Sequence, residues 1–397
     1  MMASASSPRL DIDTLRSARP AWAEIDLDAI RANVRALMAI LSPGTRFMAV
    51  VKADAYGHGA AEVARATVEA GAWGVGVATA DEGVLLRNAG IVAPVLLLGP
   101  TPPGEAATAV AHDLAVTVFQ AEVARALSEA AGRAGRLARI HLKIDTGMGR
   151  IGVAPHDAVA LARSLRALPH IAVEGCFTHL ATADDVDLAP AQAQLAAFRT
   201  VLDELGRAGV AVGMRHAANS AAVLALPDSH FDLVRCGIAV YGVAPAPHLR
   251  GRVRLRPAMR LRARIVHAKR VDTGTPIGYG HVYRTQRPAT IVTVPVGYAD
   301  GYPRLAGLRG QVVINGHRLP IAGRISMDQL TVDAGDAPIK IGDEVELWGD
   351  ALPVDEVANA AQTISYEVLA GVSARVPRVF IEGGQVRAVR TLLDVAG

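Results

Sequence analysis

The sequence predicts an α/β fold, a (β/α)8 barrel of the TIM type followed by a mainly β domain, and three observations predict it. Eight short β-branched runs alternate with alanine-rich segments of helical period, which is typical of parallel α/β folds. Eight such units in about 220 residues favour a closed barrel over an open sheet. Beyond a proline- and arginine-rich stretch near residue 250, alternating segments with Gly and Asp turns replace the helices. We therefore predict a lead at 1–20, a barrel at 21–255 and a β domain at 256–397.

The barrel elements follow one another along the chain. A first helix, LDAIRANVRALMAIL, precedes the first barrel strand, FMAVV. The later strands are WGVGVAT, PVLLLG, LAVTVF, ARIHLKID, IAVEGCFTH, GMRHAAN and DLVRCGIAVYG. The helices between them include AAEVARATVEAG, QAEVARALSEAAGRAG and PAQAQLAAFRTVLDELGRAG, each ending in a glycine suited to a helix C-cap.

The second domain is predicted from segments that alternate between apolar and polar residues. They are RLRARIVHAKRV, ATIVTVPVGYADG, GQVVINGHRLPIAG, QLTVDAG and GDEVELWG. Such alternation, bounded by turn residues, is typical of antiparallel strands.

Composition excludes several classes of protein. The longest apolar stretches, such as PVLLLGP, fall far short of the ~20 residues of a membrane helix, and the N-terminal lead has no apolar core. We expect a cytoplasmic protein without a membrane partner. A net charge of +3 without a basic run gives no indication of nucleic-acid binding. Cys176 and Cys236 lie in apolar runs and are predicted to be small buried side chains.

Polar side chains follow the ends of five predicted barrel strands. Lys52 ends the first strand and is notable because only four of the 41 basic residues are lysine. The others are Tyr56, Lys143, Asp145, Arg150, Thr178, His179, His216 to Ser220, Arg235, Cys236 and Gly237. Each alone is more often structural than functional, but barrel active sites form at this end of the strands. Their concentration therefore indicates a site, and no metal site is predicted.

The kind of site follows from the lysine and the last two loops. In barrels, the loops after the seventh and eighth strands commonly bind phosphate, and NSA and RCGI offer a hydroxyl and backbone N–H groups there. A partly desolvated lysine amine is a suitable nucleophile for an aldehyde. The combination indicates a Schiff base between Lys52 and pyridoxal phosphate.

A dinucleotide site is the main rival. GMGRIG, residues 147–152, matches the GxGxxG pattern after a strand, with Glu174 as a candidate ribose ligand. In such sites the third glycine opens a helix, whereas Pro155 and Asp157 place the helix start several residues later. Glu174 also lies within a strand, not at its end. A Cys176–His179 nucleophile pair is disfavoured because their odd spacing directs the two side chains to opposite faces of a strand.

Eight motifs resemble those of one known family. They are AVVKADAYGHG, HLKIDTGMGRIGV, FTHLATAD, RHAANSAA, VRCGIAVYG, VGYADGYPR, GRISMDQ and TISYEVLAGVSARVPR, and they extend from about residue 21 to 380. On these motifs the chain resembles the alanine racemases, fold-type III pyridoxal phosphate enzymes. The resemblance implies the cofactor pyridoxal 5'-phosphate, interconversion of L- and D-alanine, and a supply of D-alanine for peptidoglycan.

The resemblance also implies roles for individual residues. Lys52 would hold the cofactor and move a proton on one face of the substrate, and Tyr279 of a second subunit would do so on the other. Because tyrosine titrates at about pH 10 when unperturbed, a chain through His179 to Arg235 would assist it. The implied cofactor contacts are Lys52, Tyr56, Arg150, His179, Asn219, Ser220, Arg235, Gly237, Ile238 and Tyr366. The implied substrate contacts are Arg150, Met327 and Asp328.

Two further expectations come from the resemblance. Lys143 would be carbamylated and so become an anion that orients Arg150. The active sites would be composite, which requires a homodimer. The alternatives are a racemase that also accepts serine, because apolar pockets reject an added hydroxyl poorly, and a non-catalytic pyridoxal phosphate carrier on the same barrel. Carriers of that sort are short and lack a β domain. A decarboxylase on a related barrel is disfavoured because no glycine-triplet phosphate loop is present.

Overall fold

The computed structural model describes residues 19–394, and these residues form two units. The barrel unit comprises residues 29–55 and 59–256, and the β unit comprises residues 19–28, 56–58 and 257–394. No helix within residues 19–394 is long and apolar enough to cross a membrane.

The barrel unit is built on one parallel sheet of eight strands in the order β8-β7-β6-β5-β4-β3-β2-β9. The strands are β2 (Arg46–Val50), β3 (Gly74–Val77), β4 (Val95–Leu97), β5 (Ala115–Val118), β6 (Ala138–Lys143), β7 (Ile171–Phe177), β8 (Met214–His216) and β9 (Leu233–Cys236). Two backbone hydrogen bonds join the segments at its ends, from Asp232 N to Arg215 O and from Arg235 N to Ala218 O, both at 3.0 Å. The sheet is thus nearly closed.

Eight helices lie between residues 27 and 225, and after α1, which precedes the first barrel strand, they follow the barrel strands as the sequence predicts. They are α1 (Leu27–Met38), α2 (Ala60–Glu69), α3 (Ala80–Asn88), α4 (Ala106–Ala111), α5 (Ala121–Ala134), α6 (Ala158–Ala167), α7 (Ala189–Arg207) and α8 (Ser220–Ala225). Helix α5 ends at Gly135 in the left-handed conformation (φ 62°), which glycine adopts without steric cost. The barrel interior is apolar where Met48, Leu96 and Leu233 pack together.

The β unit contains three sheets and two short helices. A seven-stranded sheet has the order β16-β15-β18-β10-β1-β19-β20, a three-stranded sheet the order β11-β14-β17, and β12 pairs with β13. Its strands are β1 (Ala21–Asp26), β10 (Met259–Arg264), β11 (His267–Val271), β12 (Pro276–Ile277), β13 (Tyr283–Arg284), β14 (Ala289–Val294), β15 (Gln311–Ile314), β16 (His317–Pro320), β17 (Leu330–Gly335), β18 (Glu344–Trp348), β19 (Arg378–Glu382) and β20 (Gln385–Arg390). The helices are α9 (Val354–Ala360) and α10 (Ser365–Ala370).

The predicted fold class is confirmed, but the N-terminal limit of the barrel is corrected. Strand β1 pairs antiparallel with β10 and parallel with β19. It therefore belongs to the β unit and not to the predicted barrel range 21–255. Its residues Ala21, Trp22, Ala23 and Ile25 are buried, and the strand lies between two others in that sheet. The predicted lead at 1–20 falls mostly outside the described residues.

Candidate active site

Lys52 lies directly beyond the carboxyl end of β2, at the start of an unusual turn. Ala53, Asp54 and Ala55 have φ of 52° to 55° and ψ of 45° to 51°, the conformation of a left-handed helix. L-residues pay about 1–2 kcal/mol each for it, so surrounding contacts must stabilise the turn. One such contact is the hydrogen bond from Ala53 N to Glu82 Oε1 at 2.7 Å.

The mouth of the barrel concentrates positive charge. Burial and then Arg150 lower the pKa of Lys52, while Glu82 raises it. The pKa of Lys143 is lowered to about 8 by burial, Arg235 and Arg150, against an opposing effect of Asp145. Two lysine amines and two guanidinium groups thus lie within electrostatic reach of one another. Such a set favours binding of an anion and holds part of the lysine population neutral.

The loop that carries Arg150 is shaped by a carboxylate. Asp145 Oδ1 accepts hydrogen bonds from the backbone N–H groups of Gly147, Met148 and Gly149 at 2.9 to 3.1 Å. Burial raises the pKa of Asp145, but these bonds outweigh it and the net pKa is lowered. The next helix, α6, begins at Ala158 after a 3-10 turn at Pro155–Asp157. The third glycine of GMGRIG therefore opens no helix, which counts against the dinucleotide reading.

Arg235 is the centre of a buried hydrogen-bond network. Its guanidinium donates to the carbonyl oxygens of Thr178 (2.9 Å) and Ala217 (3.1 Å) and to His179 Nδ1 (3.3 Å). The pKa of His179 is lowered to about 3, first by burial and then by Arg235, so His179 is neutral. Because arginine can only donate, we infer that His179 accepts at Nδ1 and carries its proton on Nε2.

The network continues to two further histidines. Arg235 Nη1 donates to His216 Nδ1 at 2.8 Å, and His216 Nε2 lies 2.8 Å from His141 Nδ1. The pKa of both rings is lowered by burial and by Arg235. The same reasoning places the proton of His216 on Nε2, from which it donates to His141. The bond spans β7 and is possible because Gly175, between the two rings, has no side chain: a Cβ there would lie 2.2 Å from His141 Nδ1.

The predicted phosphate residues of the barrel unit lie on adjoining loops. Ser220 Oγ accepts from Gly237 N at 2.9 Å and from Ala239 N at 3.4 Å, which joins the loop after β8 to the turn Ile238–Tyr241 after β9. Asn219 caps α8 by accepting from Ala222 N at 3.0 Å. The structure therefore brings Asn219, Ser220, Gly237 and Ile238 into one small region.

The remaining predicted residues belong to the β unit. The rings of Tyr56 and Tyr366 have centroids 6.0 Å apart. Tyr279 lies in a 3-10 turn between two glycines of positive φ, and the residue is 69% exposed. Met327 is 53% exposed, and Asp328 forms an ion pair with Arg375 at 2.7 Å.

Three structural features were missed from the sequence. They are the contact of Glu82 with Ala53, the His216–His141 bond and the role of Gly175. Glu82 could have been found, because TADE at residues 79–82 matches the capping-box pattern after a strand. The histidine pair had no comparable signal, because it depends on side-chain direction within three neighbouring strands.

Comparison with known proteins agrees with this architecture. Residues 25–245 match the family "Alanine racemase, N-terminal domain", and residues 258–380 match "Alanine racemase, C-terminal domain". The chain is 48% identical to the alanine racemase of Symbiobacterium thermophilum, over 95% of this chain and all of that protein. It is 46% identical to the alanine racemase of Desulfovibrio desulfuricans, over 92% and 99% respectively.

Solved structures give the same result. The alanine racemase of Clostridium difficile superposes with a TM-score of 0.92 at 39% identity, covering 95% of this chain and 99% of that one. The structure from the D-cycloserine producer Streptomyces lavendulae has a TM-score of 0.89 at 45% identity, covering 92% and 98%. The similarity thus extends through both units, and the chain belongs to the alanine racemase family.

Proposed function

We propose that this chain interconverts L- and D-alanine with pyridoxal 5'-phosphate and supplies D-alanine for peptidoglycan. The observation that carries the proposal is the position of Lys52. Its amine lies at the barrel mouth, next to a strained turn, and burial together with Arg150 lowers its pKa. A lowered pKa increases the fraction of neutral amine near neutral pH, which is the form that attacks an aldehyde and accepts a proton.

The residues present fit the cofactor. Pyridoxal phosphate is anionic, and Lys52, Lys143, Arg150 and Arg235 give the barrel mouth an excess of positive charge. Ser220, Gly237 and Ile238 would hold the phosphate, assisted by Tyr56 and Tyr366, and Arg235 would face the pyridine nitrogen. When bound, the cofactor supplies an aldehyde for the amine and a conjugated ring that acidifies the α-hydrogen of alanine.

Racemisation requires proton transfer on both faces of the α-carbon. The amine of Lys52 would accept or return the proton on one face. On the other face we assign Tyr279 of the partner subunit, in line with the exposure of this side chain. His179 keeps an Nε2–H available to donate to the tyrosine oxygen, because its Nδ1 is engaged by Arg235. Such a donor favours the deprotonated tyrosine, which is the form that acts as a base.

Arg235 would keep its charge throughout. Burial lowers its pKa to about 10, which still leaves it protonated at neutral pH, and its donors are engaged by two carbonyls and two histidines. These contacts use Nη1 and Nη2 only, and a guanidinium that stays protonated would offer the pyridine nitrogen a hydrogen bond from a remaining N–H but no proton. Arg150 would contact the substrate carboxylate, since a guanidinium fork binds carboxylates well. Met327 and Asp328 of the partner subunit would complete the substrate pocket.

Carbamylation of Lys143 is part of the proposal. Carbon dioxide reacts with a neutral amine: a C–N bond forms and one proton is released. The pKa of about 8 for Lys143 gives an appreciable neutral fraction near physiological pH. The product would replace a cation with an anion beside Arg150 and Arg235, and so remove a repulsion between like charges.

One experiment tests the central assignment. Purified protein is treated with borohydride with and without added pyridoxal phosphate, and the modified lysine is identified by peptide mass spectrometry. Only four lysines exist, Lys52, Lys143, Lys269 and Lys340, so assignment is direct. We expect exclusive modification of Lys52, D-alanine formation from L-alanine, and loss of both in Lys52→Ala but not in Lys269→Ala. L-Serine as a second substrate measures specificity. A protein that takes up no cofactor and racemises neither amino acid would refute the proposal.

A further inference from the structure

We propose that Glu82 is a positioning residue that holds the left-handed turn beyond Lys52 and thereby aims the lysine side chain into the barrel mouth. The inference rests on the function proposed for Lys52, but the contacts that carry it are independent of the cofactor. Glu82 lies in the first turn of α3, after β3, whereas Lys52 follows β2.

The carboxylate of Glu82 joins two neighbouring strand ends. Oε1 accepts from Ala53 N at 2.7 Å, within the turn. Oε2 accepts from Ala78 N at 2.6 Å, just beyond β3. Both oxygens thus hold backbone N–H groups on adjacent loops, and the residue after Lys52 is fixed relative to the strand next to it.

The turn needs such support. Four consecutive residues without glycine, Ala53 to Tyr56, have positive φ. Among them only Asp54 is of a type that adopts this conformation at reduced cost, so the turn depends on surrounding contacts. Its other end is held by Asp54, whose Oδ1 accepts from Ala60 N at 2.9 Å and whose carbonyl accepts from Gly59 N at 2.8 Å. Glu82 holds the end nearest to Lys52.

A purely local role for Glu82 must be separated from this one. Glu82 also forms a capping box with Thr79, whose Oγ1 accepts from Glu82 N at 3.3 Å. Capping of α3 is a common and sufficient reason for a glutamate at this position. The hydrogen bond to Ala53 is additional to the box, because it leaves the helix and reaches another strand end.

Four substitutions distinguish the two roles. Glu82→Ala removes both the cap and the contact with the turn. Thr79→Ala weakens the cap but leaves the carboxylate on Ala53. Asp81→Ala removes an exposed acidic side chain from the same helical turn, and serves as a charge-matched control. Glu82→Gln keeps one acceptor oxygen and should give an intermediate result.

The first measurement is hydrogen–deuterium exchange of the full-length holoenzyme, followed in peptides covering residues 51–59. We expect Glu82→Ala to accelerate exchange there by about tenfold or more, whereas Thr79→Ala and Asp81→Ala leave it unchanged. Peptides from β14 and β17 of the β unit report whether any variant has lost stability as a whole. Exchange in 51–59 that is unchanged in Glu82→Ala, or equally fast in Thr79→Ala, would overturn the inference.

The second measurement is the pH profile of kcat/KM. The carboxylate of Glu82 raises the pKa of Lys52, so Glu82→Gln should move the limb that belongs to Lys52 to lower pH, and Asp81→Ala should not. An unmoved limb would contradict the electrostatic part of the inference. If the wild type racemises neither amino acid but Glu82→Ala still accelerates exchange in 51–59, the proposed function fails while the support of the turn stands.

Discussion

Substitution of Gly175 by alanine should break the histidine chain behind Arg235. The new Cβ would lie 2.2 Å from His141 Nδ1, 2.6 Å from His141 Cε1 and 2.9 Å from the carbonyl oxygen of Met214. The carbonyl belongs to β8 and cannot move freely, so the ring of His141 must move away. Its 2.8 Å bond to His216 would then be lost.

The size of the effect follows from two costs. A buried N–H of His216 left without an acceptor costs about 1–3 kcal/mol, and forcing a methyl group into a packed interior costs about 1–3 kcal/mol. The free energy of unfolding should therefore fall by about 2–6 kcal/mol. Arg235 would lose the fixed orientation of His216, and kcat/KM should fall by about tenfold to a hundredfold, since catalysis is sensitive to displacements of the order of 1 Å.

The assay combines urea denaturation with nitrogen-15 spectra of selectively labelled histidine, for which 12 residues give a tractable spectrum. The spectra should show that His216 Nε2 has lost its acceptor. Gly76→Ala in β3 is the matched control, because its Cβ meets movable side-chain atoms of Leu98 at 2.8 Å and Met48 at 3.3 Å. Thr117→Val is a second control. Thr117 pairs with His141 in the strand register, and its hydroxyl has no hydrogen-bond partner within the described chain. Wild-type spectra and stability in Gly175→Ala would refute the reasoning.

Three further predictions concern charge and assembly. In the folded barrel the pKa of His141 and of His179 is about 3, whereas in the unfolded chain these residues are protonated below about pH 6.5. The free energy of unfolding should therefore decrease as the pH is lowered between these limits, by up to about 1.4 kcal/mol per pH unit for each histidine. A denaturation midpoint that does not change from pH 6.5 to 4.5 would contradict this. In the wild type, the peptide that contains Lys143 should carry the additional mass of one carbon dioxide, and Lys143→Ala should lose this mass increase and have lower activity. Full activity of Lys143→Ala, together with a bare Lys143 amine in a high-resolution map of the wild type, would exclude carbamylation. Mixing inactive Lys52→Ala and Tyr279→Phe chains should restore about a quarter of wild-type activity if each active site combines Lys52 of one subunit with Tyr279 of the other in a two-fold dimer. If no activity is recovered after subunit exchange, both residues of a site belong to one chain.

The sequence was informative about the barrel because period and chain order are local signals. Eight apolar runs separated by helical segments were sufficient to predict eight parallel strands. Strand β1 was missed as a member of the β unit because AWAEID precedes a barrel helix directly. Only pairing with β10 and β19, more than 200 residues away, assigns it to the other sheet.

The candidate site was predictable to the extent that the fold itself groups residues. Barrels place strand ends on one rim, so Lys52, Lys143 and Arg235 could be grouped before their contacts were known. The chain from Arg235 through His216 to His141 could not be predicted, because it depends on an absent side chain at Gly175. A glycine within a strand indicates a close approach, but it does not indicate which group makes the approach.

Two carboxylates, Glu82 and Asp145, act electrostatically on the lysines of the barrel mouth without cancelling its positive charge. Glu82 and Asp145 each accept hydrogen bonds from backbone N–H groups, so their geometry is set by the loops and not by the lysines. They raise the pKa of Lys52 and Lys143, respectively, but burial and the arginines outweigh them. The same two side chains therefore shape the loops that carry Lys52 and Arg150 and leave a net positive field. Such a field suits an anionic cofactor and keeps the lysine amines close to the neutral state that proton transfer and carbamylation both require.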